Sequence, residues 1–163
     1  MRRFVTLHQP HNDVRKSLRA GLGGAIAIGF LGLVTISSGY PLLMAPFGAS
    51  CVLLFSIPGS PLSQPVNVVA GHFVSTLVGL LLRLYLPDAW WAVALAVGLA
   101  IALMAMLRIT HPPAGADPII AFATHPGFEF LLLPVLTGSV GLVAIAAAFH
   151  AATSTSYPIN QTS

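Results

Sequence analysis

Several stretches of this chain are apolar over about the thickness of a lipid bilayer, and no other feature limits its fold as tightly. A helix rises about 1.5 Å per residue and the hydrocarbon core is about 30 Å thick, so roughly 20 apolar residues make one crossing. Residues 20–38, 68–86 and 89–107 approach that length. Residues 130–152 do so with Pro134 as the main interruption, which packed membrane helices tolerate because neighbours re-satisfy freed backbone groups. With 56% of residues hydrophobic and 7% charged, against about 25% charged in a soluble domain, a water-soluble globule is excluded. The expected fold is an all-α integral membrane bundle with four transmembrane helices.

No polar linker is long enough to join two separate domains, so residues 18–152 read as one membrane domain. Residues 1–17 form a basic tail before it and residues 153–163 a tail after it. Arg2, Arg3, Arg15, Lys16 and Arg19 all precede the first long run, which places the N-terminus in the cytoplasm by the positive-inside rule. The expected location is a bacterial inner (plasma) membrane with both termini cytoplasmic. Arg2 and Arg3 with Ser37-Ser38-Gly39 also resemble a signal peptide, but Arg15, Lys16 and Arg19 ahead of so long a run favour a retained span. The net charge of +3 is this topology signal, so no nucleic-acid partner is expected. Tyr85, Trp90 and Trp91 flank Pro87-Asp88 and suit the headgroup region. Cys51 is the single cysteine and forms no intramolecular disulfide.

The apolar sequence contains a repeat. Pro46-Phe-Gly-Ala-Ser-Cys-Val-Leu53 and Pro113-Ala-Gly-Ala-Asp-Pro-Ile-Ile120 share the pattern Pro-x-Gly-Ala, two residues, two aliphatics, at an offset of 67 (113 minus 46). The same offset pairs Phe55 with Phe122 and Gly71 with Gly138. Two units of one design follow, about 18–84 and 85–152, each a long span, a short Pro/Gly-broken segment and a second long span. Residues 114–124 would make a helix of only about 16 Å, so the broken segments are expected to re-enter, leaving four spans and two units of like orientation. Full passage would instead give six spans and inverted units.

Non-helical backbone at membrane depth is tolerated where it is buried in protein or lines a wet cavity. Pro112 and Pro113 end the third span near Thr110 and His111. A short helix is then expected to start at Gly115-Ala116, and another at Gly48-Ala49-Ser50 behind Pro46. Two helix starts facing each other form a positive well for a small anion, with Arg108, Thr110, His111 and Asn67 as further substrate ligands. His111 and Asp117 are the candidate proton sites, since a carboxylate in the cavity opposes an anion unless protonated. His72 is expected to make an interhelical hydrogen bond. His8, His11, His125 and His150 lack metal-ligand spacing, so no metal and no cofactor is expected. No nucleophile–base pair or catalytic motif is evident, so the chain is not expected to be an enzyme. Its glycine-rich faces are compatible with a homo-oligomer.

Four motifs in order carry a resemblance: Ala45-Pro-Phe-Gly-Ala-Ser50, Ser60-Pro-Leu-Ser-Gln-Pro-Val-Asn67, Ala70-Gly-His72 and His111-Pro-Pro-Ala-Gly-Ala116. Together they resemble the HPP family of small integral membrane proteins, over about residues 18–152. The resemblance implies four membrane spans and, from members of photosynthetic lineages, transport of nitrite, a small planar monoanion. Val66 stands where many members have arginine, and Asp117 where an uncharged residue is common. Both departures make the cavity less favourable to an anion. A structural or regulatory membrane subunit without a substrate is the alternative reading.

Overall fold

A computed structural model describes residues 13–159 together with Val5. Arg2, Arg3, His8, His11 and the last four residues of the C-terminal tail lie outside the described residues. The described chain is helical, without strands, in six α-helices joined by short turns. These are α1 (Val14–Ser38), α2 (Ala45–Ser56), α3 (Pro65–Tyr85), α4 (Trp90–Met106), α5 (Asp117–Thr124) and α6 (Thr137–Ala152).

Local chemistry sets the boundaries. The Asp13 carboxylate accepts from the Arg15 N–H and starts α1, and Gly39, at φ 74°, ends it with its N–H on the Thr35 carbonyl; that left-handed position suits glycine. Pro46, Pro65 and Pro118 sit in the first turns of α2, α3 and α5, where a missing N–H costs nothing. Ahead of α6, Phe128–Leu131 and Leu132–Leu136 form a 3-10 turn and a wide turn, with extended backbone at Leu133 just before Pro134, a break of the kind a proline imposes.

Three segments are long and apolar enough to cross a membrane: Val14–Ser38, Pro65–Tyr85 and Phe128–Ala152. Trp90–Met106, the expected third span, is apolar but has 17 residues, about 25 Å of helix. The outer faces are apolar. Leu22, Ile26, Phe30, Leu33 and Ile36 of α1 are 46–82% exposed, a surface that suits lipid and not water.

The chain reverses direction at every helix. Going up α1, Phe55 meets Gly23, Cys51 meets Gly24 and Leu43 meets Gly32, so α2 runs antiparallel to it. Segment 42–54 lies alongside α6 in the same direction, from Leu42 at Gly138 to the Leu54 carbonyl, which accepts from His150 Nε2 at 2.8 Å. Segment 110–126 lies alongside α3 in the same way. The Thr110 carbonyl accepts from Asn67 at 3.0 Å, Ala114 from Ser75 at 2.6 Å, and Pro126 from Arg83 at 2.7 Å.

The two short segments therefore each keep one direction alongside a long helix, and the re-entrant expectation is not confirmed. That expectation counted helical rise alone. Extended residues advance about 3.3 Å and 3-10 residues about 2.0 Å each, and both kinds lead into α5: His111 is extended and Pro112–Ala116 form a 3-10 turn. The helix starts are displaced too. Segment 112–116 is this 3-10 turn, and the helix proper begins at Asp117. The earlier helix begins at Ala45, so Gly48, Ala49 and Ser50 lie inside it.

The offset of 67 recurs in the packing. A methyl group on Gly71 would lie 3.2 Å from the Ile109 carbonyl oxygen, and one on Gly138 would lie 3.1 Å from that of Leu42; 42 plus 67 is 109. Phe55 and Phe122 are likewise both buried. Each unit packs its second long helix against the broken segment of the other.

Candidate functional site

Polar side chains are costly in an apolar interior unless they are bonded to one another, and this bundle gathers such a set where its two broken segments pass. Ser50, His72, Ser75, Thr76, His111 and Asp117 are all fully buried. Helix α2 supplies Ser50. Helix α3 supplies His72 and Thr76, which share a face because they are four residues apart. The turn before α5 supplies His111, and Asp117 opens α5.

Ser50 Oγ lies 2.9 Å from His72 Nε2 and 2.9 Å from His111 Nε2. On its other side the His72 Nδ1 is 2.8 Å from Asp117 Oδ2, which also accepts from Thr76 Oγ1 at 3.2 Å. His111 Nδ1–H donates to the Leu62 carbonyl at 2.8 Å. The imidazoles of His72 and His111 meet edge to face at 5.0 Å, and Phe47 closes edge-on against His72 at 5.1 Å. His72 thus bridges Ser50 and Asp117, the two residues the repeat makes equivalent.

Several expected ligands stand apart from this cluster. Arg108, left-handed at φ 60°, is exposed beyond the end of α4, as are Gly48 on α2 and Pro112 on the turn. Gly115 and Ala116 are half-buried in the 3-10 turn and bring no polar side chain to the cluster. Asn67 and Thr110 pair with each other next to it. Pro46 and Pro113 are buried and supply backbone shape. His72 makes the expected interhelical bond, and a second one to Ser50. Asp117 turns its carboxylate to His72 and Thr76 instead of capping α5.

The sequence showed no nucleophile–base pair, yet folding aligns Ser50, His72 and Asp117 in the connectivity of a nucleophile, a base and an orienting carboxylate. The Ser50 hydroxyl is fully enclosed and shared with a second imidazole, so it meets no substrate in this state. Among the described residues no group of His, Cys, Asp and Glu is arranged to hold a metal ion.

A second feature was not foreseen. A cleft of about 720 Å³ lies between α1, α2 and the end of α6, lined by Lys16, Arg19, Gly48, Cys51 and His150 among others. Among the described residues that line it, none is acidic. The Arg19 guanidinium donates to the Thr153 carbonyl at 3.1 Å and to the Thr155 hydroxyl, so the start of α1 and the end of α6 share one end of the bundle. There the chain after α6 is tied down: Tyr157 donates to the Ser63 carbonyl at 3.1 Å, and burial pushes its phenol up to about 12. His150 lines the cleft with Nε2–H on Leu54 and with Nδ1 buried and unpartnered.

The sequence model of the family described as HPP, transmembrane region, matches residues 9–158. Two transmembrane proteins of Dictyostelium discoideum are similar to this chain. One is 40% identical over 106 residues, covering 60% of this chain and 37% of the relative. The other is 39% identical over 121 residues, covering 69% of this chain and 39% of the relative. The chain thus spans less than two fifths of either relative's length, and their source lends no support to the expected bacterial membrane. No solved structure matches it. With a family match that runs over nearly every described residue and an all-helical, apolar-faced bundle, this chain is an integral membrane protein and belongs to the HPP transmembrane family.

Proposed function

We propose that the protein is a transporter or channel for a small inorganic anion, with nitrite the substrate to test first. The observation that carries this reading is the basic cleft. Its described lining includes Lys16, Arg19 and His150 and no carboxylate, and it reaches Gly48 and Cys51 of α2, the helix that holds Ser50 in the buried cluster. Like charge gathered in a concave site raises the local concentration of an oppositely charged solute. Nitrite as the particular anion rests on the family resemblance.

In this reading the chain crosses the membrane six times, with α4 and the two broken segments completing the three long spans. Alternating direction supports that count, and the shared end of α1 and α6 agrees with any even number of crossings. The units are then inverted copies with the polar site at their interface, as in transporters built from inverted repeats. The basic residues before α1 assign that end to the cytoplasm.

The test is nitrite uptake by proteoliposomes of the purified protein. Uptake several-fold above empty vesicles is expected, with a marked loss in the Lys16→Glu, Arg19→Glu double variant. Uptake no faster than empty vesicles would remove nitrite as the substrate. A second reading, a non-transporting structural subunit, draws on the complete burial of the Ser50–His72–Asp117–His111 cluster, and it predicts that His111→Ala changes stability without affecting any flux.

A further inference from the structure

The hydrogen bonds of the buried cluster fix its proton content. The Leu62 carbonyl can only accept, so His111 Nδ1 carries a proton. With His111 neutral its Nε2 is an acceptor facing Ser50. With Asp117 ionised and His72 neutral, His72 Nδ1–H points to the carboxylate and its Nε2 is also an acceptor facing Ser50. One hydroxyl proton cannot serve two acceptors, both 2.9 Å away, so this state leaves a close contact without a proton.

One additional proton completes every bond. It resides on Asp117 facing His72 Nδ1, on His72 as an imidazolium, or on His111 as an imidazolium with Ser50 turned toward His72. In each case the four groups together carry no net charge, as a dry interior demands. A second additional proton would turn Ser50 toward the Pro46 carbonyl, at 3.2 Å its longest contact, and leave an uncompensated positive charge. The surroundings offer no compensation. Cys51, next to Ser50, faces α1 and the cleft, Arg108 is exposed, and among the described residues the only other acid–base ion pair is His125 with Asp88, at the far end of α3.

We infer that Ser50, His72, His111 and Asp117 form one proton-binding site that holds a single exchangeable proton and relays it between Asp117 and His111. The transfer balances: Asp117 gives its proton to His72 Nδ1, His72 Nε2–H passes to Ser50 Oγ, and the former Ser50 proton passes to His111 Nε2. The products are an Asp117 carboxylate, a neutral His72 and a His111 imidazolium. Positive charge moves from the start of α5 to the turn ahead of it, by way of His72 on α3 and Ser50 on α2, without any ion entering the core.

The inference is independent of the anion reading, because the proton is counted with no anion present and a failed uptake assay leaves it standing. The full-length protein, labelled with 15N-histidine and held in lipid nanodiscs, is measured by 15N NMR near neutral pH, where protonated and bare ring nitrogens have widely separated shifts. One proton in total on the two Nε2 atoms is expected. Both Nε2 atoms bare, or both fully protonated, would overturn the inference. In Asp117→Asn the amide serves His72 Nδ1 and no exchangeable proton is left, so His72 Nε2 is expected protonated and His111 Nε2 bare. A protonated His111 Nε2 in that variant would equally overturn it, and where the variant fails to fold the wild-type count decides alone.

Discussion

Ser50 and Asp117 occupy the same station in the two units, yet a hydroxyl both donates and accepts whereas a carboxylate only accepts unless protonated. Asp117 Oδ2 takes His72 and Thr76, while Oδ1 is buried without a partner. Asp117→Ala is therefore expected to lower stability by about 1–3 kcal/mol, since it strands His72 Nδ1 and Thr76 in an apolar interior. A thermal unfolding midpoint in detergent equal to that of the parent would contradict this. Arg108 is the opposite case, exposed and left-handed, a conformation that costs a non-glycine residue roughly 1 kcal/mol. Arg108→Gly should unfold at the same or a higher temperature and leave uptake unchanged. Ser50, His111 and Asp117 were legible because polar groups stand out in an apolar chain. Thr76 was missed, although its spacing from His72 signals a shared face. Lys16 and Arg19 were read as topology signals because that role explains them without any fold. Arg108 was assigned to the site by its nearness to His111 in sequence, but the left-handed turn at the end of α4 leaves it outside.

Among the elements, the broken segments decide the architecture, and their packing rests on two glycines. A methyl group on Gly71 would press on His111 Cβ at 2.8 Å, and one on Gly138 would press on the Phe47 ring. Gly71→Ala and Gly138→Ala are each expected to destabilise the bundle by about 1–3 kcal/mol through overpacking. Gly48→Ala, with nothing within 4 Å of the added carbon, should be neutral or slightly stabilising, given alanine's better helix propensity. Melting curves of the three variants compare them directly, and an equal loss at Gly48 would point to backbone effects instead. Three of the four long spans were legible from apolar run length, and the offset of 67 seen in the sequence reappears in the packing of Gly71 and Gly138. The path of the short segments was not, because the sequence marks where helix stops but not how far the extended and 3-10 residues then advance.

At the scale of the whole molecule, the direction of segment 110–126 distinguishes a passage from a return. In a Cys51→Ala background, Arg108→Cys and His125→Cys should react with a membrane-impermeant thiol reagent from opposite sides of the bilayer. Labelling of both from one side would restore the re-entrant topology and overturn the six-crossing proposal. On the six-crossing proposal, two units running in opposite directions make a scaffold that, with identical sequences, would look alike from either face. The difference between Ser50 and Asp117 removes that equivalence at the most enclosed point of the bundle. One face thus approaches the centre through an acid and the other through an alcohol, which gives an otherwise reversible frame a fixed polarity.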